Sequence, residues 1–318
     1  MPRILTILAL LSLPWMSTAA AQERLDIVAS VPDLGHMAEV IGGDRVDVKV
    51  LIPAGSDPHA VLPKASLLLK LSRADGLIVM GLDYEHAFLP ALLEKTRNKA
   101  VLQGGSGFMN VGARIQAKDV PETLDRSEGA DLHPKGNPHF NLDPESGRIM
   151  AEAVRDLLVA LAPQHRQEFD SRWKAWDEEA QRRIAVWTSW MAPLEGKEVV
   201  CYHESWVYFT DRFGMGIAGY VEPKPGLAPS AKHLLAVKKM MRDRGLKMIL
   251  MEPWYNEARV KSLAGDGVSI MRLPSTSGYK RGQEAYLDFI ESLVMAMREG
   301  HGLPPRGDLP SEVGPSRG

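Results

Sequence analysis

Between Gln164 and Met191 the chain runs 28 residues with neither glycine nor proline. A helix of that length extends about 42 Å at 1.5 Å per residue, enough to cross two lobes. Trp173, Trp176, Ile184, Trp187 and Trp190 fall at mixed helical spacings along it and read as core packing rather than a cofactor face. On each side of this stretch, β-like runs alternate with helical ones. In the first half, Leu25–Ser30, Val46–Ile52, Gly76–Met80 and Ala100–Gln103 read as strands, separated by helices near residues 34–41, 64–72 and 88–95. In the second half, Glu198–Tyr202, Gly219–Val221, Lys247–Met251 and Val268–Arg272 read as strands, with helices near 206–213, 230–243, 256–263 and 283–298. Asp143-Pro144-Glu145 is a helix start, with Asp as cap and Pro at the first helical position. Alternation of this kind predicts an α/β protein with mostly parallel sheets flanked by helices. The length allows two such lobes, expected at residues 22–163 and 193–300, with the long helix over 164–192 between them in sequence.

The first residues read as an export signal, residues 1–21. Arg3 is followed by an apolar core over residues 4–15 and by small residues at Ala19 and Ala21 for cleavage. That core is too short for a membrane-spanning helix of about 20 residues, and no cysteine follows it to take a lipid. The expectation is an exported periplasmic protein, acting as a monomer. Residues 301–318 are rich in Gly and Pro and are expected to be a disordered tail. A net charge of −2 gives no basic footprint for nucleic acid. Cys201 is the single cysteine, so no intramolecular disulfide is possible, and its strand context suggests a buried thiol.

Three of the nine histidines stand in marked contexts. His59 and His139 each follow a proline, in Ser56-Asp57-Pro58-His59 and Gly136-Asn137-Pro138-His139. His203 follows the apolar run that ends at Tyr202. Such distant positions point to a site assembled by folding, because imidazole is a common ligand for zinc and other borderline divalent metals. A strand end is also where open α/β sheets place ligand-binding residues. A single loop histidine is more often a surface or capping residue, so the weight rests on the three contexts together.

Over residues 25–299 the chain resembles the periplasmic zinc/manganese substrate-binding proteins of ABC transporters, in the zinc-type branch. The resemblance rests on Gly55-Ser56-Asp57-Pro58-His59, His133-Pro134-Lys135-Gly136-Asn137-Pro138-His139, Tyr202-His203 before a helix ending in Phe213-Gly214, and Glu252-Pro253. It implies two lobes joined by a long helix, with metal in the cleft between them. It also implies that His59, His139 and His203 are ligands, and that an ABC permease in the inner membrane is the partner. A periplasmic metallochaperone is a second candidate partner. The aspartate common after the last strand of this family is replaced here by Leu273.

Zn2+ is satisfied by three imidazoles and one carboxylate or water. Glu252, at the end of the neighbouring strand, is therefore a candidate fourth ligand. Water in a three-histidine shell is the alternative, and Glu204 is a weaker one. Three imidazoles favour Zn2+ over Mn2+, which prefers oxygen ligands. The loop over 111–136 reads as mobile, and its Asp131 and His133 suggest at most weak metal capture. His36 and His86 are candidates to orient a ligand, with a surface role equally open. His165, His233 and His301 are expected at the surface. The competing functions are a three-histidine zinc hydrolase and a metal-binding adhesin or metallochaperone. No His-Glu-x-x-His motif or nucleophile triad supports the hydrolase, and the expectation is a non-enzymatic metal-capture protein.

Overall fold

A computed structural model describes residues 24–122, 129, 131–261, 263, 267–278 and 286–307. The expected signal peptide over 1–21 lies outside the described residues, as do residues 308–318.

Two four-stranded sheets are present, and every strand pairing in them is parallel. The first contains β1 (Leu25–Ala29), β2 (Val46–Val50), β3 (Gly76–Val79) and β4 (Phe108–Asn110), in the order β2-β1-β3-β4. The second contains β5 (Glu198–Cys201), β6 (Gly216–Tyr220), β7 (Met248–Met251) and β8 (Ser269–Arg272), in the order β6-β5-β7-β8. The two lobes thus repeat one topology. All four residues of β3 and of β7 are buried, as expected for inner parallel strands covered on both faces. The edge strands β2 and β6 are mostly half-buried.

Helices connect the strands: α1 (Pro32–Gly42), α2 (Ala65–Ser72) and α3 (Leu89–Lys95) in the first lobe, then α4 (Pro144–Leu161) and the long α5 (Arg166–Met191). The second lobe carries α6 (Val207–Arg212), α7 (Ala231–Arg244), α8 (Glu257–Lys261) and α9 (Tyr286–Gly300). The start of α4 is capped as its sequence predicts: the Asp143 carboxylate accepts from Glu145 N at 3.0 Å. The buried residues of α5, Phe169, Trp176, Ala180, Ile184, Trp187, Trp190 and Met191, recur at three-, four- and seven-residue steps. They form one apolar stripe against α1, α4 and α9. Trp187 is fully buried at its centre. One continuous apolar core joins residues of both lobes through this stripe, and a smaller cluster covers the outer face of the second sheet.

The lobes also meet directly. Arg212 holds Asp143 through two hydrogen bonds of 2.6 and 3.0 Å. Asn141 Nδ2 donates to Ser275 O at 2.8 Å, and Ser277 N donates to Asp33 Oδ1 at 3.2 Å.

The fourth strand departs from the sequence expectation. Residues 99–101 form a 3-10 turn, and the strand lies further on, at Phe108–Asn110. Asn98 Oδ1 caps that turn by accepting from Ala100 N at 3.1 Å. The chain then folds back so closely that a Cβ on Gly107 would lie 2.1 Å from Asp75 O. From this glycine on the backbone pairs with β3, Leu77 N donating to Gly107 O at 2.7 Å. The loop expected over 111–136 is also partly ordered, with a 3-10 turn at Val111–Arg114 and a Lys118–Asn137 bridge. Of the expected tail, residues 301–307 are described, with Arg298 Nε donating to Pro304 O at 2.7 Å and Arg306 pairing with Glu291 at 3.1 Å.

Candidate metal centre

The loops that follow the strands carry the candidate residues, and those after β2, β4 and β5 converge. His59 follows β2, His139 follows β4 and His203 follows β5, while Glu222, Glu252 and Leu273 follow β6, β7 and β8. This is the carboxyl-end location expected for a ligand in an open parallel sheet.

Each histidine is held by its own local device. His59 sits in the 3-10 turn Pro58–Ala60, which Asp57 caps by accepting from His59 N at 2.9 Å. Both of its ring nitrogens are buried and have no hydrogen-bond partner. His139 is buried, and its Nδ1 lies 3.0 Å from Asn137 Oδ1. Because Asn137 Nδ2 donates to Glu204 O at 2.8 Å, the Asn137 oxygen is the acceptor. Nδ1 of His139 therefore carries the proton, and Nε2 keeps the lone pair. His203 donates from Nδ1 to Glu222 Oε2 at 2.8 Å, leaving Nε2 buried and unpartnered. A carboxylate or amide oxygen behind an imidazole is the usual arrangement that orients a metal-binding histidine.

One nitrogen from each of His59, His139 and His203 lies within 4.8 Å of the others. Ligands of one tetrahedral zinc ion stand about 3.4 Å apart, so a modest contraction of the three rings encloses an ion. Tyr84 packs against His59 and His139 at ring distances of 5.6 and 5.5 Å and forms one wall.

The charges suit a cation. Burial, and then the neighbouring imidazoles, push His59 and His139 well below the ordinary histidine range, so both stay neutral. His203 behaves oppositely. Burial opposes its charge, but the hydrogen bond and charge of Glu222, with Glu252 and Glu204 beyond, outweigh it and raise the group from 6.5 to about 9.

Glu252 is fully buried, and neither of its oxygens has a hydrogen-bond partner, although Ser205 is near enough to lower its pKa. Burial raises its pKa from 4.5 to about 7, against the pull of His203. Glu252 lies outside the three-histidine cluster. Leu273 is half-buried and packs on the apolar core. Glu204, also half-buried, turns its backbone oxygen to Asn137.

The second-tier histidines divide. His86 and His133 join the cluster, with rings 5.5 and 5.0 Å from that of His59. His133 is buried with both nitrogens unpartnered, and burial lowers it to about 3. His36 instead faces Tyr286, whose N–H approaches its Nδ1 at 3.4 Å. His165, His233 and His301 are half-buried rather than at the open surface. Glu222 is the residue sequence reasoning missed. Its signal was an acid directly after a strand, ahead of Pro223.

The family model for the periplasmic zinc-uptake complex component A (ZnuA) matches residues 27–300. The chain belongs to this zinc-uptake family. The high-affinity zinc uptake protein ZnuA of Yersinia pestis is 24% identical over 282 residues, covering 84% of this chain and 88% of that one. The zinc-binding protein AdcA of Streptococcus pyogenes is 23% identical and covers 89% of this chain, which spans 59% of AdcA's length. Among solved structures, a crystal structure of ZnuA superposes with a TM-score of 0.71 at 23% identity, covering 86% of this chain and 98% of that one. The laminin-binding protein Lmb of Streptococcus agalactiae gives a TM-score of 0.72 at 20% identity, with 86% and 98% covered. Both share the two-lobed α/β fold of this ZnuA-family chain. The family is one of metal-binding transport components.

Proposed function

We propose that this chain captures Zn2+ between its lobes and delivers it to an ABC permease in the inner membrane. The observation that carries the reading is the convergence of His59, His139 and His203 from three strand-end loops, two in one lobe and one in the other. Two of them are pre-set by Asn137 and Glu222 to offer Nε2. Three imidazole nitrogens in a buried site, His203 giving up its proton to the metal, suit zinc, and Mn2+ is the weaker alternative. A Mn-bound structure of a periplasmic metal-binding protein from Candidatus Liberibacter asiaticus has the same fold, at a TM-score of 0.70.

Glu252 supplies the fourth ligand in this reading. A fully buried carboxylate without a hydrogen bond is costly, and a dication beside it offsets that cost. Because Glu252 lies outside the three-histidine cluster, it reaches the ion by movement of the β7–α8 loop. Water completes the shell if that loop stays in place. The zinc is cargo, and the protein catalyses no reaction. The N-terminal segment directs export and is removed after Ala21. The mature protein acts as a monomer in the periplasm and takes metal from solution or from a metallochaperone.

Calorimetric titration of chelator-stripped protein tests this. His59→Ala, His139→Ala and His203→Ala each weaken Zn2+ binding by at least about tenfold, or about 1.4 kcal/mol. Unchanged affinity in two of the three rules out the assignment.

A further inference from the structure

A second cluster of buried polar groups lies where the lobes meet. Asp33 stands in the first turn of α1, and Asn141 lies in the 3-10 turn Phe140–Leu142 ahead of α4. Ser275, Thr276 and Ser277 follow β8 in the second lobe, just beyond Leu273. All five residues are at most 2% exposed. Ser277 N donates to Asp33 Oδ1 at 3.2 Å, and Asn141 Nδ2 donates to Ser275 O at 2.8 Å. These contacts draw the five residues into one junction. Tyr286 closes it, its hydroxyl donating to Asn141 O at 2.7 Å.

The junction holds more oxygen than it has partners for. Asp33 Oδ2, Asn141 Oδ1 and the hydroxyl oxygens of Ser275, Thr276 and Ser277 are buried without a hydrogen bond. Buried polar atoms are ordinarily paired, so this many unpaired ones at one junction point to a ligand that they share. Burial raises the Asp33 pKa from 3.8 to about 7, against hydrogen bonding from Ser277 and Asn141, whose side chains both reach the carboxylate's surroundings. Among the described residues no cationic side chain is a cause of its shift. Above pH 7 the carboxylate is charged in a dry place, which is costly unless a cation joins it.

The donor set fixes the class of ligand. Carboxylate, amide and hydroxyl oxygens select a hard cation over one that prefers nitrogen or sulfur. A single carboxylate neutralises a single charge. A monovalent ion therefore leaves the junction neutral, whereas Ca2+ or Mg2+ leaves a net buried charge. Water satisfies the hydroxyls but not the carboxylate's charge.

We propose that Asp33, Asn141 and Ser277, with Ser275 and Thr276 beside them, bind a monovalent alkali cation that clasps the two lobes. The first lobe supplies the carboxylate and the amide, and the second supplies the hydroxyls. The ion therefore needs both lobes in place, and it stabilises the folded protein by mass action. None of the five residues is a zinc ligand, so this site stands or falls independently of zinc capture.

Thermal melts of the chelator-treated protein test it at about pH 8.5, where the Asp33 carboxylate is charged. NaCl or KCl replaces choline chloride at constant ionic strength. At least one of the two alkali salts is expected to raise the wild-type melting temperature saturably, by at least about 3 °C. Asp33→Asn keeps an acceptor for Ser277 N but loses the charge, and its salt-specific shift is expected to fall below about 1 °C. Ser277→Ala removes one hydroxyl from an otherwise intact junction and is expected to lose at least about half of the shift. If Asp33→Asn does not fold, Ser277→Ala decides alone. Equal wild-type melting temperatures in all three salts overturn the proposal. So does a shift that the folded variants retain in full, or one given by CaCl2 and by neither alkali salt.

Discussion

His203 Nδ1 lies 2.8 Å from Glu222 Oε2, and both side chains are buried. The pair joins the ends of adjacent strands, β5 and β6, and it decides which nitrogen faces the cleft and how tightly that ring holds a proton. Its charge sets the pH dependence of metal binding. With His203 raised to about 9, the metal-free ring carries a proton at neutral pH that Zn2+ must displace. His59 and His139, held low, have none to lose. Binding at pH 7 therefore releases about one proton from His203, with about half a proton more where Glu252, itself raised to about 7, ligates the ion, and between pH 7 and pH 9 affinity rises about tenfold per pH unit. Titration calorimetry in buffers of different ionisation enthalpy measures the release directly. No proton release at pH 7 contradicts the pairing.

Glu222→Gln tests the same pair from its other side. Loss of the carboxylate removes the main influence holding the proton on His203, so proton release at pH 7 falls by about one. It also removes the group that orients the ring and raises its basicity. Zinc affinity well above pH 9 accordingly drops about 10- to 100-fold. Affinity equal to wild type at that pH contradicts an orienting role for Glu222.

Glu252 makes a stability prediction for the metal-free protein. Its folded pKa of about 7 lies above the ordinary 4.5. The folded state therefore holds the proton more tightly, and the stability this contributes is present below pH 4.5 and lost as pH rises through 7. Glu252→Gln removes that loss. The variant is more stable than wild type at pH 8, by on the order of 3 kcal/mol at most, and little changed at pH 4. Saturating Zn2+ reverses the order at pH 8 if Glu252 is a ligand. Denaturant melts at the two pH values, with and without metal, provide the check.

The two-sheet plan was largely legible in the sequence because inner parallel strands are nearly unbroken apolar runs, as in Gly76–Val79 and Met248–Met251. The long helix was legible from the absence of glycine and proline. The fourth strand was misplaced because Ala100–Gln103 has strand-like composition, whereas residues 99–101 form a turn and pairing with β3 begins only at Gly107, where the chain comes too close to Asp75 for a side chain. The three cleft histidines stood out by their neighbours. Glu222 did not, because its contact with His203 depends on which strand ends lie side by side. That is set by the strand order β6-β5-β7-β8 and by the lobe contacts, neither of which has a local signature.

Trp187 ties the lobes together at the middle of the α5 stripe. It is fully buried, Arg183 lies over its ring at 5.3 Å, and Glu291 of α9 accepts from its Nε1 at 3.4 Å. Trp187→Ala costs about 3–5 kcal/mol in a denaturant melt. Because Trp187 lies on α5 and the cleft histidines lie on loops after β2, β4 and β5, the zinc affinity of the folded variant stays within about twofold of wild type. A stability loss below about 1 kcal/mol indicates that the stripe does not join the lobes.

The central claim is that one Zn2+ ion sits among His59, His139 and His203. Anomalous scattering at the zinc edge, from a crystal of the loaded protein, tests it most directly. The account predicts one strong peak with a ring nitrogen of each histidine at about 2.0–2.1 Å, Nε2 in the case of His139 and His203. A peak elsewhere, or one with any of the three rings more than about 3 Å away, contradicts it.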